Sequence, residues 1–427
     1  MGKRAANRPT LDKAPPRQCL RRCSSAKKSA SRAAAKRKDH SPPRPCCFLL
    51  ASWGAKRARD GGSRRQRDWA NLADGPAGLI SERVLAGDVA DYVRFRAACL
   101  PWRRCSADPR EHGILDRRFH PRLWIMMVRE TLSTPRSRRL LNLSTGQCVQ
   151  VDLPELRDHH VIRSTSEGLL ILLHETTHVV RLLNPLTRQA ADLPPVTSLG
   201  DEFKRNSPDN AGLVDGGTTV LLYFSRITTL AFAKPGDDHW APLKIDDFLM
   251  PTMSFAGCFY GFTDHAIVAV ETRENLPPRL VVAAELAKPF CRMADTVHLV
   301  DNGGELVLVH RKLRRIHDAA CSDSFDRKYK AYHVDLDAGK MTRVHGLGGR
   351  AVFIGQFRAL SVSPRVFPYI SADTVYPGIN GQLRTDYKKI RAYHLTDGSV
   401  EPSNYDMTRG LPRPWSIADF LALYISD

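Results

Sequence analysis

Leu140-Leu141-Asn142-Leu143-Ser144-Thr145-Gly146-Gln147 and Leu182-Leu183-Asn184-Pro185-Leu186-Thr187-Arg188-Gln189 are nearly the same phrase written twice. Each is followed by an acidic residue and Leu-Pro, at Asp152-Leu153-Pro154 and at Asp192-Leu193-Pro194. The offset of 42 residues is the length of one four-stranded propeller blade. Fainter copies stand at Tyr332-His333-Val334-Asp335-Leu336-Asp337-Ala338-Gly339 and at Tyr393-His394-Leu395-Thr396-Asp397-Gly398. In every copy a strand ends in a polar turn from which the next strand begins, which is the hairpin chemistry a blade needs.

Outward from these copies, between Arg122 and Asp397, short apolar runs alternate with Gly, Pro, Asn and Asp. Leu123–Val128, Gly168–Leu173, Val179–Leu183, Thr219–Phe224, Thr228–Phe232, Ala266–Val270, Leu280–Ala284 and Leu306–Val309 are each strand-length and rich in β-branched or aromatic residues. Long helical periodicity is nearly absent. The class is mainly β, a sandwich or a propeller, and the repeat favours the propeller. A body of about 275 residues at ~42 per blade gives six blades, with five or seven allowed. At the carboxyl end Ser416 and Asp419 form a capping pair, and Ile417, Phe420, Leu421 and Tyr424 share one helical face. That spacing predicts a short amphipathic helix over 412–427, docked on the body.

Charge separates the chain into unlike parts. Residues 1–67 carry 20 Lys and Arg against Asp12, Asp39 and Asp60, a net +17, whereas 68–427 carry 44 against 42, a net +2. The arm is poor in large apolar residues and contains Pro15-Pro16 and Pro42-Pro43, so it is expected to be disordered. Lys36-Arg37-Lys38 and Lys56-Arg57-Ala58-Arg59 suit nuclear import or contact with a phosphate backbone. An Arg- and Ser-rich start also suits an organelle transit peptide, so nucleus, cytoplasm and organelle all stay open. Nucleic acid is expected to meet only this arm, because the body is near neutral. No run reaches the ~18 apolar residues that span a bilayer. Ten scattered Cys without a CxxC spacing speak for reduced thiols rather than a disulfide or zinc scaffold.

Between arm and body, 68–110 changes character. Leu79, Ile80, Arg83, Val84 and Leu85 suit a short helix closed by Gly87. Asp88, with Asp91 three residues on, suits the cap of a second helix. In that helix Tyr92, Phe95, Cys99 and Trp102 form one apolar stripe, with Pro101 at its end or at a kink. Two helices this short cannot bury both faces unaided.

The segment resembles the F-box of plant F-box proteins. The residues that carry the resemblance are Asp68-Trp69-Ala70-Asn71-Leu72, Leu79-Ile80-Ser81-Glu82-Arg83, Ala90-Asp91-Tyr92-Val93-Arg94-Phe95-Arg96 and Cys99-Leu100-Pro101-Trp102-Arg103. Ala73 stands where the family has Pro, and Gly75-Pro76-Ala77 where acidic and larger apolar residues are usual. The body resembles the KIB-type β-propeller that follows the F-box in a large plant family. Here the matching stretches are Ser166-Glu167-Gly168-Leu169-Leu170, Arg181–Thr187, Asp192–Pro195 and Trp415–Leu421. The resemblance implies four regions: a basic arm at 1–67, an F-box at 68–110, a propeller at 120–400 and a terminal helix at 412–427.

What the resemblance implies for function is an adaptor without catalysis or cofactor. Its F-box would dock on a Skp-type linker subunit of a cullin–RING ubiquitin ligase through Leu72, Leu79, Ile80, Val84, Leu85, Val93, Phe95, Cys99 and Trp102. The propeller would hold a protein substrate. Other readings are an orphan interaction propeller, a nucleic-acid-associated protein acting through the arm, and, most distantly, a zinc hydrolase. That last rests on His174-Glu175-Thr176-Thr177-His178, a literal H-E-x-x-H that on a helix would bind zinc. The apolar runs on either side pair more naturally as two strands with the motif as their turn, so no metal is expected. His159-His160 is read as an exposed turn, Gly346–Gly349 as a loop, and Cys258, Cys291 and Cys321 as small core residues.

Overall fold

Side chains sorted alternately between two neighbouring cores build this molecule. In the segment Thr219–Phe224, Val220, Leu222 and Phe224 enter one core while Leu221 and Tyr223 enter the next. Leu306 and Leu308 likewise face one core, Val307 and Val309 another. A strand with both faces buried has no polar side to show, which is why these strands read as unbroken apolar runs. The computed structural model describes residues 69, 72–127, 137–273, 276–286, 295–317, 323–355, 358–377, 392–401 and 421. The chain divides between Cys47 and Phe48, and every described residue lies in the second unit. The basic arm lies outside the described residues.

Three helices come first: α1 (Asp74–Gly87), α2 (Val89–Ala98) and α3 (Leu100–Arg104). Six sheets follow. Blade one has three described strands, β1 (Trp124–Met126), β2 (Ser137–Asn142) and β3 (Cys148–Asp152). Blade two is β4 (His159–Ser164), β5 (Leu170–His174), β6 (Val179–Leu183) and β7 (Ala190–Pro195). Blade three is β8 (Asn210–Val214), β9 (Thr219–Phe224), β10 (Thr229–Ala233) and β11 (Ala241–Lys244). Blade four is β12 (Thr252–Phe255), β13 (Cys258–Phe262), β14 (Ala266–Arg273) and β15 (Leu276–Glu285). Blade five is β16 (Asp295–Asp301), β17 (Leu306–His317), β18 (Asp323–Asp335) and β19 (Lys340–Val344). Blades two to five are antiparallel meanders in chain order.

Blade six departs from that meander. Its strands are β20 (Ala351–Ile354), β21 (Ala359–Val362), β22 (Thr374–Pro377) and β23 (Tyr393–His394), ordered β21-β20-β22-β23. β20 and β22 run parallel. Parallel neighbours need a crossover rather than a tight turn, and residues 363–373 supply it. Phe367 and Ile370 of that crossover are buried in the core shared with blade one, where Ile125, Leu141 and Phe353 also sit. This sixth inter-blade core closes the ring. Leu421, the one described residue of the expected terminal helix, is helical and fully buried there.

The repeated phrase is a repeated turn. Asn142 Oδ1 accepts from the Ser144 and Thr145 amides at 2.8 and 3.2 Å, and Asn184 Oδ1 from those of Leu186 and Thr187 at 3.1 Å each. Asp335 plays the same part for Asp337 and Ala338. The residue that ends the turn is left-handed in all four copies, with φ of 71° at Gly146, 66° at Arg188, 64° at Gly339 and 75° at Gly398. Arg188 is the non-glycine among them, a choice that costs about 1–2 kcal/mol. Its guanidinium offsets this by donating to Glu155 at 2.6 Å and to the Asp152 carbonyl.

The same two asparagines fasten the helices to the ring. Asn142 Nδ2 donates to Asp88 Oδ2 at 2.8 Å, and Asn184 Nδ2 to the Phe119 carbonyl at 2.8 Å. Asp88 also caps α2, its Oδ1 accepting from Ala90 N at 2.7 Å and Asp91 N at 3.1 Å. Its Oδ2 takes a second bond, from Trp124 Nε1 at 2.7 Å. The glutamines at the end of each repeat join in. Gln147 Oε1 accepts from Arg94 Nη1 at 3.1 Å, and Gln189 Nε2 donates to the carbonyls of Pro109 and His112. Gly168 has φ of 81°, and a Cβ there would lie 2.0 Å from the Pro121 carbonyl oxygen where the incoming chain crosses blade two.

Asp88→Ala removes a helix cap and leaves the buried Trp124 and Asn142 donors unpaired, so it is expected to cost about 2–4 kcal/mol in urea unfolding. Asp88→Asn should cost nearly as much, because an amide cannot offer acceptors on both sides. A loss of under about 0.5 kcal/mol in either variant would contradict this role. Gly168→Ala is expected to fail on backbone overlap, read as a lowered Tm beyond that of Gly113→Ala, where nothing lies within 4 Å.

Candidate partner-docking segment and central cavity

α1 is packed by its small side chains and exposes its large ones. Ala77 and Ser81 are its buried residues, and Gly78 faces the Cys105 carbonyl, which a Cβ would meet at 3.6 Å. Leu79 is 64% exposed and Ile80 38%. The helix begins at Asp74, earlier than the apolar spacing suggests, because Pro76 falls in the first turn, where a missing N–H costs nothing. α2 does the opposite of α1 and buries its aromatics. Tyr92 packs on Phe119 and donates its hydroxyl to the Ala107 carbonyl at 2.8 Å.

The single stripe expected from Tyr92 to Trp102 is broken. Cys99 is extended, and the chain restarts as α3 with Pro101 in its first turn. A proline at 101 cannot continue α2, since it lacks the N–H and collides with the carbonyl four residues back. The break returns Trp102 onto Phe95, ring centroids 4.5 Å apart and planes at 14°. Trp102 Nε1 donates to the Trp69 carbonyl at 2.9 Å. Arg96 ties α2 to the following loop, donating to the Ala107 carbonyl at 2.8 Å and pairing with Asp108 at 2.7 Å.

The nine residues singled out from the sequence therefore divide by place. Leu79 and Ile80 are exposed; Leu72, Val84, Leu85, Val93, Cys99 and Trp102 are half-buried; Phe95 is buried inside the segment. Leu100, 55% exposed, and Trp69, 54% exposed, add two large apolar residues to the same short segment.

The second feature is a cavity of about 610 Å³ lined by all six blades. On one side Arg163 Nε donates to Asn210 Oδ1 at 2.5 Å, and Asn210 Nδ2 to the Thr252 carbonyl at 3.0 Å. On another, Arg350 Nε donates to Ser361 Oγ at 2.8 Å, and that hydroxyl to Asn302 Oδ1 at 2.7 Å. His298 lines the cavity from β16, and burial, with Arg311 nearby, pushes its imidazole down to about 3. None of these residues stood out in the sequence, because they come from five blades and no spacing joins them.

H-E-x-x-H is a strand turn. His174 ends β5 and its Nδ1 accepts from the Thr176 and Thr177 amides, each at 3.2 Å, while His178 is left-handed at φ 56° before β6. The i, i+4 helical pairing that a zinc site of this kind needs does not form. Gly346–Gly349 is a loop between β19 and β20. His159-His160 is not a turn: both lie on β4, with His159 buried against His174, ring centroids 4.7 Å apart. Cys258 is exposed rather than a core residue, because it directly follows the tight left-handed turn at Ala256-Gly257. Cys291 and Cys321 lie outside the described residues.

His298 stays neutral in the folded chain far below its ordinary value of 6.5. The unfolded chain therefore binds a proton that the folded one does not, so its contribution is complete above pH 6.5 and is lost as pH falls toward 3. His298→Leu is expected to flatten the decline of unfolding free energy below pH 6.5 by up to about 1.4 kcal/mol per pH unit. Parallel pH curves for the two proteins would contradict this.

In solved structures the chain is similar to the hydrazine synthase of Kuenenia stuttgartiensis, at 12% identity over 52% of this chain and 65% of that one, TM-score 0.29. It is similar to dihydro-heme d1 dehydrogenase NirN, at 12% identity over 51% and 46%, TM-score 0.27. It is similar also to the Cps50 (Swd1) β-propeller domain of Myceliophteria thermophila, at 10% identity over 65% and 87%, TM-score 0.30. The matches span less than two thirds of the hydrazine synthase and NirN chains. No curated protein matches the chain. The KIB1-4 beta-propeller family model matches residues 124–394, well over half the sequence, and the chain belongs to the KIB1-4 β-propeller family.

Proposed function

We propose that this chain is the substrate-recognition adaptor of a cullin–RING ubiquitin ligase, with the helical segment as an F-box that docks on a Skp-type linker subunit. The observation that carries the reading is the inverted packing of α1, which buries Ala77 and Ser81 and exposes Leu79 and Ile80. A helix that keeps its large apolar residues outside is stabilised by a second surface that covers them. Resemblance of the segment to plant F-boxes names the surface. Leu79 and Ile80, with the half-buried Leu72, Val84, Leu85, Val93, Cys99 and Trp102, form the docking set. Phe95 acts indirectly, holding Trp102 in place.

The propeller is the substrate-holding part, through loops from several blades that converge at one end of the ring. No bond is made or broken by this chain; it raises the effective concentration of a bound protein near the ubiquitin-loaded enzyme. It works in the nucleus or cytoplasm, where that machinery is found. Among the described residues no helix is long and apolar enough to cross a membrane.

Each of Leu79 and Ile80 should contribute about 1.5–3 kcal/mol when covered. Leu79→Ala and Ile80→Ala are therefore expected to weaken linker binding by the full chain about tenfold or more each, with Tm unchanged. Phe95→Ala and Trp102→Ala should also abolish it, but with a fall in Tm, because they unstack the segment itself. Undiminished binding by a folded Leu79→Ala, Ile80→Ala double variant would contradict the proposal. Binding to nucleic acid that falls steeply with salt and is lost on deleting 1–67, with no linker binding, would favour the arm-based reading instead.

A further inference from the structure

β17 and β18 outrun the blade they belong to. β16 accompanies β17 only as far as Asp295 opposite Lys312, and β19 accompanies β18 only from Val344 opposite Ala331. The hairpin itself runs on to His317 opposite Asp323. Residues 313–317 and 323–327 therefore form a two-stranded ribbon about 16 Å long, at about 3.3 Å per residue. Among the described residues no third strand lies along either of its edges. Open edges of this kind are templates for another strand, and a protein that keeps one either blocks it or uses it.

Topology fixes where the ribbon points. In the meander of blades two to five, the first and third turns lie at one end of the sheet and the second turn at the other. The incoming helical segment is seated on first and third turns, at Gly168 and at Asn184 of blade two. The first turns of blades two and five, at Thr165-Ser166 and Gly303-Gly304, line one cavity, so the blades share a sense. The ribbon prolongs the second turn of blade five and leaves the ring at the end opposite the helices.

Its two strands differ in charge. From Arg311 to His317, β17 carries Arg311, Lys312, Arg314 and Arg315 and no acid, in a body whose net charge is +2. β18 mixes the signs, with Asp323 and Asp326 beside Arg327 and Lys328. At the base of the ribbon Lys312 and Lys328 are both exposed and directly opposite each other, a like-charge pair that works against the hairpin. Asp295, next to Lys312 on the other side, pairs with His310 at 3.2 Å.

We propose that the β17 edge of this ribbon binds an extended, acidic segment of another protein by strand addition. Backbone bonds along 313–317 supply the grip, and carboxylates of the added strand meet the four cations of β17 and offset the opposition of Lys312 and Lys328. A peptide strand lies about 4.8 Å from its neighbour, here on the side away from Asp323 and Asp326. A nucleic-acid groove admits both strands of a ribbon and would meet those carboxylates as well. That the captured protein is a ligase substrate rests on the adaptor reading above; the binding itself does not.

The test is hydrogen exchange of the full chain with a peptide of about seven alternating Glu and Val residues, at about 0.15 M salt. The acidic peptide, at about 1 mM, should slow exchange along 313–317 about tenfold, and a Lys-Val counterpart should not. Arg314→Glu with Arg315→Glu is expected to abolish that protection, and Arg314→Gln with Arg315→Gln to weaken it, with linker binding unchanged in both. No protection along 313–317, equal protection by a Gln-Val peptide, or protection that survives the double Glu variant would overturn the proposal. So would a DNA oligonucleotide that protects 313–317 together with 323–327 and displaces the acidic peptide. Peptide protection without linker binding would support this site and contradict the adaptor reading; linker binding without peptide protection would do the reverse.

Discussion

One carboxylate joins the two halves of this molecule. Asp88 spends one oxygen on the first amides of α2 and the other on Trp124 and Asn142 of blade one. Helix start, first inner strand and first repeated turn are thereby held to a common point. Because the donors are directional and two of their owners, Trp124 and Asn142, are almost wholly buried, the helices have one seat on the ring rather than a range of them. Asn184 and Gln189 repeat the arrangement one blade further on, gripping 109–119 through backbone carbonyls.

That seating decides what the helices can offer. α2 turns Tyr92 and Phe95 inward, and α3 folds back so that Trp102 covers Phe95. α1 is left to pack through Ala77 and Ser81, so its Leu79 and Ile80 face outward by geometry rather than by accident of sequence. Six inter-blade cores close the ring behind them. Its inner strands are apolar on both faces, while outer strands such as β3 and β19 alternate exposed polar residues with packed ones.

Much of this was legible in the residues and some was not. Thr219–Phe224 read as a strand because alternate side chains serve two cores. Asn142 and Asn184 announced themselves as a repeat, and Asp88 as a cap. The start of α1 was hidden because Gly75-Pro76 reads as a breaker when it is in fact a first turn. The interruption before α3 was marked by Pro101, although the apolar spacing ran a single stripe across it. Blade six was opaque because pairing of β20 with β22 skips over β21, and no local pattern encodes a crossover. Cys258 looked like a core residue from its neighbours, yet a hairpin corner turns it to solvent. The cavity was invisible for the plainest reason: Arg163, Ser254, His298 and Arg350 come from four blades and meet only once the ring has closed.

Hydrogen exchange of the full chain with and without a Skp-type linker subunit tests the central claim most directly, because it reads both faces of the helical segment at once. Protection gained along 74–87 and 100–104, with the exchange of blades one to six unchanged, is the predicted result. No change along α1 with a linker present at saturating concentration, or protection confined to the propeller, would contradict it.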